Sequence, residues 1–404
     1  MILRNCSIVE IGEDSRVWVE DDCAISIVGE TIRWVGRDDA LPRGGLDELE
    51  IDCDGRLVTA GLIDCHTHLL YSGNRSQEFA LRLRGLSYEE IAREGGGIRS
   101  TVEATRLASD EQLFFGVLDR LRRMSHHGTT TVEIKSGYGF DITSELRLLE
   151  LLSEVQRLAS ISVVPTCLAL HSSPSDSVDR ANFLREVNEL LLPEVASRQL
   201  APSVDAFCES IAFSLGEVQE YYETAQRLGL GVRGHVDQLS SGGGAQLLAR
   251  FGGLCADHLE YSDEEGIAAL ARAGTVAVLL PGAFYFLRER QLPPIELLRR
   301  YGVPIALATD ANPGTSPLLS LPLAMNMACT LFGLTTDEAL CGVTLNAARA
   351  LGLRDRGALR PSWRADIAIW DLGDPSELAY FLGESYLWAS LVAGQLLVEP
   401  RATS

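Results

Sequence analysis

The sequence predicts an α/β fold. A (β/α)8 TIM barrel is expected over residues 61–352, with a small β-sandwich-like domain built from both chain ends, 1–60 and 353–404. Two observations predict it. The middle of the chain alternates eight apolar runs with helical stretches, the element count of such a barrel. Residues able to ligate a metal fall at the C-terminal ends of those runs, where a barrel of this kind builds its active site. A doubly wound sheet is the structural alternative, and it would not deliver ligands in order from strands so far apart.

The strands are read at Gly61–Leu69, Thr130–Ile134, Ser162–Leu168, Val204–Cys208, Gly231–Val236, Leu254–Leu259, Thr275–Leu280 and Pro304–Thr309. Between most of them, apolar residues recur at helical spacing. The helices are read at Ser109–Met124, Ser144–Leu158, Val178–Glu194, Leu215–Leu228, Ala245–Phe251, Asp263–Arg272 and Pro294–Tyr301. The first 60 residues read as short strands with no helix: Ile25–Val28 and Thr31–Val35 around a Gly29-Glu30 hairpin turn, then Leu49–Cys53. The C-terminal end reads alike, with Asp366–Asp371, Trp388–Val392 and Gln395–Val398. The two ends are expected to pair.

At 404 residues and 46% hydrophobic content the chain can bury a large core. A net charge of −21 repels phosphate backbones, so no nucleic-acid partner is expected. The nine cysteines are scattered and form no Cys-x-x-Cys pair, which suits reduced thiols in the cytoplasm better than a disulfide framework. No long apolar stretch opens the chain, and no run is long enough to span a membrane, so neither a secretory signal nor a membrane association is expected.

The site is read from Thr59-Ala-Gly-Leu-Ile-Asp-Cys-His-Thr-His68. Side chains alternate along a strand, so His66 and His68 point the same way. Strand five ends at His235, strand six at His258 and strand eight at Asp310, and five of the seven histidines stand at such ends. The other two, His126 and His127 before Gly128, read as a helix C-terminus. Three imidazoles and a carboxylate (His66, His68, His235, Asp310) suit one Zn²⁺ or Fe ion. Such an ion lowers the pKa of a water molecule. Asp310 is then the expected proton acceptor, and His258 the expected hydrogen-bond donor to that water or to a developing oxyanion.

Further motifs accompany this pattern: Ser72-Gly-Asn-Arg75, Gly95-Gly-Gly-Ile98, Val132–Gly139, Asp257-His-Leu-Glu-Tyr261, Leu279–Phe286 and Ala308-Thr-Asp-Ala-Asn-Pro-Gly-Thr315. Together they resemble the imidazolonepropionase family of the amidohydrolase superfamily, over nearly the whole chain. The resemblance implies hydrolysis of 4-imidazolone-5-propanoate to N-formimidoyl-L-glutamate, the third step of histidine degradation, with one Zn²⁺ or Fe ion per chain. It implies substrate contacts at Arg75, Tyr138, His171, Gln238, Asn312, Gly314 and Thr315. Arg75 would hold the substrate carboxylate through its planar fork.

Where some relatives carry Glu, this chain has Gln238, which cannot act as a base. Proton transfer is therefore expected to rest on Asp310 and His258. Lys135 invites comparison with the carbamylated lysine of two-metal amidohydrolases, but it lies on strand two where those enzymes use strand four, so a single ion is expected. A metal-dependent deaminase and another cyclic-amide hydrolase are the alternatives, and a catalytically dead scaffold is disfavoured because no ligand is missing. A homodimer is allowed for, without the sequence fixing the oligomeric state.

Overall fold

In the computed structural model, residues 1–12, 15–42, 49–86, 96–172 and 179–400 are described. The chain opens with β1 (Ile2–Ile11), β2 (Val17–Val28) and β3 (Thr31–Arg37), then β4 (Glu50–Asp52) and β5 (Leu57–Ala60). Only Gly61 separates β5 from β6 (Leu62–Asp64), the first barrel strand. The barrel continues with β7 (Thr129–Lys135), β8 (Ser162–Leu170), β9 (Ser203–Cys208), β10 (Gly231–Val232) and β11 (Gly234–Val236). It is completed by β12 (Cys255–His258), β13 (Val276–Leu279) and β14 (Ile305–Leu307). Neighbours pair in parallel in the order β6-β7-β8-β9-β11-β12-β13-β14. Every residue of β7 is buried, as expected for a parallel strand covered on both faces.

The barrel closes at its C-terminal rim. Thr67 bridges in parallel to Ala311. The Asp310 N–H donates to His66 O at 3.1 Å, and the His68 N–H donates to Ala311 O at 3.0 Å. The closing hydrogen bonds are thus made by the residues that carry the candidate ligands.

The chain returns to the first sheet with β15 (Ile367–Trp370), β16 (Leu387–Val392) and β17 (Gln395–Val398). β15 lies antiparallel to β5, with Ile367 opposite Ala60 and Trp370 opposite Leu57, so the two chain ends do pair. The eight-stranded order is β17-β16-β15-β5-β1-β2-β3, with β4 also beside β1. This single ladder folds over itself: the turn at Gly394 abuts the turn at Gly29. Inside lies a core that includes Leu3, Ile8, Ile25, Ile367 and Leu391.

Several expectations are corrected. The N-terminal strands are long, at 10 and 12 residues for β1 and β2. Asn5 and Asp22 adopt positive φ, and the β1–β2 register shifts around Cys6, which breaks the alternation that would have revealed a long strand. Strand one is shorter than expected because regular pairing stops at Asp64 and the chain turns to the rim bridge. Strand five is split at Arg233, whose guanidinium enters the barrel and donates to Cys65 O at 2.5 Å. Additional helices occupy Ser76–Leu83 and Ile98–Leu107 after β6, and Leu321–Met327, Thr336–Gly342 and Leu345–Ala350 after β14. The expected helix Val178–Glu194 is observed as Arg180–Glu186, a π-helical turn at Val187–Leu191, and Leu192–Ser197. Pro193, which has no N–H to donate, explains the wider turn. Val178 and Gly95 lie outside the described residues. Among the described residues, no helix is long and apolar enough to cross a membrane.

The two sheets meet at Trp370, which is fully buried and donates Nε1–H to Thr59 Oγ1 at 2.9 Å. Its ring covers Gly128, which has φ +83°, and a Cβ added there would overlap the indole. Gly128→Ala therefore combines a left-handed backbone cost of about 1–2 kcal/mol with overpacking of about 1–3 kcal/mol. We expect a urea midpoint lowered by the equivalent of about 2–5 kcal/mol, the sum of those two costs. A wild-type midpoint would mean that this junction yields freely.

Candidate metal and active site

The rim of the barrel gathers His66, His68, His235, His258 and Asp310, all buried. His66 and His68 stand on the extended segment after β6, His235 on β11 and His258 on β12, while Asp310 follows β14. His68 Nε2 lies 3.3 Å from His66 Nε2 and 3.5 Å from His235 Nε2. Asp310 Oδ1 lies 3.5 Å from His66 Nε2 and 3.4 Å from His68 Nε2. Bonds of about 2.0–2.2 Å in a tetrahedron separate their donor atoms by roughly 3.3–3.6 Å. The three histidines are therefore brought together as a group that can hold one metal ion, and Asp310 comes within 3.5 Å of two of them.

Behind these ligands lies a layer of buried charge. Asp257 Oδ2 accepts from His66 Nδ1 at 2.7 Å, and Asp205 Oδ1 accepts from His235 Nδ1 at 3.1 Å. A proton on each Nδ1 turns the Nε2 lone pair toward the common centre. Glu133 Oε2 accepts the Thr67 N–H at 3.0 Å, fixing the backbone between His66 and His68. Lys135 Nζ sits 2.8 Å from Glu133 and 2.7 Å from Asp205, with Asp257 at 3.9 Å. Arg233 Nη1 lies 3.6 Å from Glu133.

The charges fit a cation. Glu133, Asp205 and Asp257 face two cations, Lys135 and Arg233. With Asp310 included, two negative charges are uncompensated if all are ionised, as a divalent ion would require. Burial and Arg233 push Lys135 down, but Asp205, Glu133 and Asp257 outweigh them and raise its pKa. Burial would raise Asp205, yet His235 and Lys135 hold it well below the ordinary carboxylate range. Lys135 is thus a locked ammonium behind the ligands. This is a physical reason, beyond its strand, against a carbamate there.

His258 presents another environment. Burial, reinforced by His235, pushes its pKa down to about 3, so at neutral pH it is an uncharged imidazole with one N–H to donate. Glu260 lies 3.9 Å from His258 Nδ1, and burial pushes it up to about 8. Burial also raises Asp310, opposed by His258 and His235. Both His258 (φ 81°) and Asp310 (φ 51°) leave their strands in the left-handed region, which redirects their side chains.

The remaining expected residues surround this centre. His171 stacks on His68 with centroids 4.9 Å apart and meets Gly137 O through Nδ1 at 3.1 Å. Tyr138 is buried beside both, 5.3 Å from the His171 ring and 6.2 Å from the His68 ring. Gln238 is half-buried just after β11, beyond Asp237, whose carboxylate accepts from Gly244 N–H and Ser262 Oγ. Asn312 is committed inside its own turn: Oδ1 accepts the Gly314 and Thr315 N–H groups, and Nδ2 donates to Asp310 O and Thr315 Oγ1. Arg75 reaches this turn, because a Cβ at Gly314 would overlap its Nη1.

Sequence reasoning missed Asp205, Glu133, Asp257, Arg233 and Asp64 as contributors. Asp64 accepts from Thr309 N–H and Oγ1 at 3.2 and 2.6 Å, steadying the residue before Asp310. The available signal was an acidic residue inside an otherwise apolar strand, as in β6, β7, β9 and β12.

Lys135→Met tests this layer. Removing one member of a buried ion cluster leaves uncompensated charge and typically costs about 3–5 kcal/mol. Chemical denaturation should show a loss of that size. A loss below about 1 kcal/mol, far under the usual cost of a broken buried pair, would mean that the carboxylates are not balanced by Lys135.

Comparison with known proteins agrees with this geometry. The Amidohydrolase family profile matches residues 57–392. An imidazolonepropionase of Paracoccus denitrificans is 50% identical, covering 98% of this chain and 100% of the relative. One from Vibrio vulnificus is 51% identical, covering 92% of this chain and 91% of the relative. Similar solved folds include the zinc complex of atrazine chlorohydrolase TrzN from Arthrobacter aurescens, with TM-score 0.77 at 18% identity, covering 100% of this chain and 97% of that one. Another is 5-methylcytosine deaminase from Klebsiella pneumoniae, also with TM-score 0.77 at 18% identity, covering 100% and 99%. Full-length identity near one half, with a group of histidines able to hold a metal on the rim of this barrel, places the chain in the amidohydrolase family and, within it, among the imidazolonepropionases.

Proposed function

We propose that the protein hydrolyses 4-imidazolone-5-propanoate to N-formimidoyl-L-glutamate. The observation that carries this reading is the near-full-length identity to imidazolonepropionases, and the rim geometry supports it. His66, His68, His235 and Asp310 would hold one Zn²⁺ or Fe ion per chain. Such an ion supplies Lewis-acid chemistry, acidifying water and polarising a carbonyl oxygen.

The chain's own groups do the rest. Asp310 takes a proton from the attacking water as its oxygen adds to the ring carbonyl carbon. His258, uncharged, donates a hydrogen bond to the oxyanion that forms. Asp310 then delivers the proton to the ring nitrogen, and the carbon–nitrogen bond breaks. Gln238 holds the ring by its amidine edge, His171 and Tyr138 line the ring's flank, and Arg75 takes the carboxylate. Gly314 makes room for Arg75. The hydrogen bonds within the 312–315 turn give Asn312 and Thr315 the task of shaping that wall. The nine free cysteines support a reducing, cytoplasmic setting.

Purified protein should turn over 4-imidazolone-5-propanoate, lose activity to a chelator and regain it with Zn²⁺ or Fe²⁺ at one ion per chain. Ammonia release instead of N-formimidoyl-L-glutamate would assign a deaminase, and two ions per chain would overturn the mononuclear reading. Asp310→Asn should lower kcat by at least about 10²-fold, the lower range for lost acid–base help. Gln238→Glu should keep substantial activity. Near-normal Asp310→Asn together with an inactive Gln238→Ala would reverse the roles of these two residues.

A further inference from the structure

Arg75 precedes the helix Ser76–Leu83, and its guanidinium is held from two sides. Its Nε donates to Glu78 Oε2 at 2.9 Å, and its Nη2 lies 2.8 Å from the same oxygen. The other oxygen, Glu78 Oε1, accepts from Ser100 Oγ at 3.0 Å, and Ser100 belongs to a different helix, Ile98–Leu107. On the opposite side Nη1 is pressed against Gly314. An ion pair three residues apart on a helix is ordinary, and when exposed it contributes little. This one differs in three respects. Both side chains are only 15% exposed, a second helix pins the carboxylate, and the far edge of the arginine faces the turn that follows Asp310.

The guanidinium is a rigid plane with two forks, one through Nε and Nη2 and one through Nη1 and Nη2. Glu78 occupies the first. The second is left toward the site, and among the described residues no acceptor meets Nη1. We propose that Glu78, steadied by Ser100, is a positioning residue that aims the Nη1–Nη2 edge of Arg75 at the carboxylate of the substrate. The inference rests on the proposed role of Arg75 as the partner of that carboxylate. It adds a chemical consequence. The carboxylate meets an arginine whose charge is already paired, so recognition depends on the direction of the fork more than on net charge. Substrates are then selected by where their carboxylate lies relative to the ring.

The test measures KM and kcat of the metal-loaded enzyme on 4-imidazolone-5-propanoate and on the imidazolone without its propionate. Glu78→Leu should raise KM for the first substrate roughly tenfold, the size of one lost charge-assisted hydrogen bond, with kcat little changed. Its effect on the second substrate should be small. Ser100→Ala, a milder change, should raise KM in the same direction by a few-fold, and Glu78→Gln, which keeps an acceptor of the same shape, should restore most of the affinity. Equal losses on both substrates, or no change in KM with either Glu78→Leu or Ser100→Ala, would overturn the proposal. Arg75→Met separates the two levels. If it loses affinity for the carboxylate substrate while Glu78→Leu does not, only this inference fails. If Arg75→Met is itself normal, the carboxylate is held elsewhere and the underlying role of Arg75 fails.

Discussion

The site depends on how three buried carboxylates are shared. Glu133, Asp205 and Asp257 sit on alternate barrel strands, β7, β9 and β12, in an interior where an unpaired charge would cost several kcal/mol. Each divides its oxygens or its neighbours between two tasks. One side faces Lys135, at 2.8, 2.7 and 3.9 Å respectively. The other oxygen of Glu133 and of Asp205 fixes a part of the site, the Thr67 N–H and His235 Nδ1, while Asp257 meets His66 Nδ1 with the same Oδ2 that faces Lys135. Lys135 therefore couples the ligand-bearing segments without touching the common centre. Any of these carboxylates could be buried alone only by giving up its charge, and a neutral acid would orient a histidine far less firmly.

Backbone strain completes what the charges begin. A parallel strand carries its side chains perpendicular to its own axis, which serves the barrel wall but not a centre above the rim. At Asp237, His258, Leu259 and Asp310 the backbone enters the left-handed region, at an energetic disadvantage for non-glycine residues. Asp310 is kept there by its N–H bond to His66 O and by Asp64, which ties down Thr309. The strain and the rim closure thus share the same atoms. The stretch that closes the barrel also aims the candidate ligands.

Much of this was legible in the sequence, for definable reasons. His66 and His68 could be paired because strand alternation is a local rule. Asp310 and His258 could be placed because a barrel fixes which strand end faces the site. The charged layer could not be assembled in the same way. Asp205 reads as one acid among apolar neighbours, and its partners Lys135 and His235 are brought to it only by strand order in three dimensions. The long terminal strands were hidden by bulges at Asn5 and Asp22, which disturb the alternation on which strand reading depends. The helices after β6 and β14 fall outside the one-helix-per-strand alternation on which a barrel reading depends. Arg75 could be named by resemblance, but not its coupling to Glu78 and Ser100, which join segments on two helices.

The proton chemistry proposed for this chain follows from what its other polar groups cannot do. Gln238 has no titratable proton. Burial drives the Tyr138 phenol further from ionisation, with Asp310 adding to the effect. Glu260 is pushed toward its protonated form by burial and stands beyond hydrogen-bond range of His258 Nδ1. Lys135 is locked into its carboxylates. His171 spends its Nδ1 on Gly137 O. Of the groups on the rim, that leaves Asp310 and the neutral imidazole of His258 for the proposed proton chemistry. Asp310 has the basicity and stands within 3.5 Å of two imidazole nitrogens, while His258 has a hydrogen to donate but little affinity for another. A base and a donor, set by burial on the same rim at the ends of β12 and β14, can divide the two halves of an amide hydrolysis without a third titrating residue.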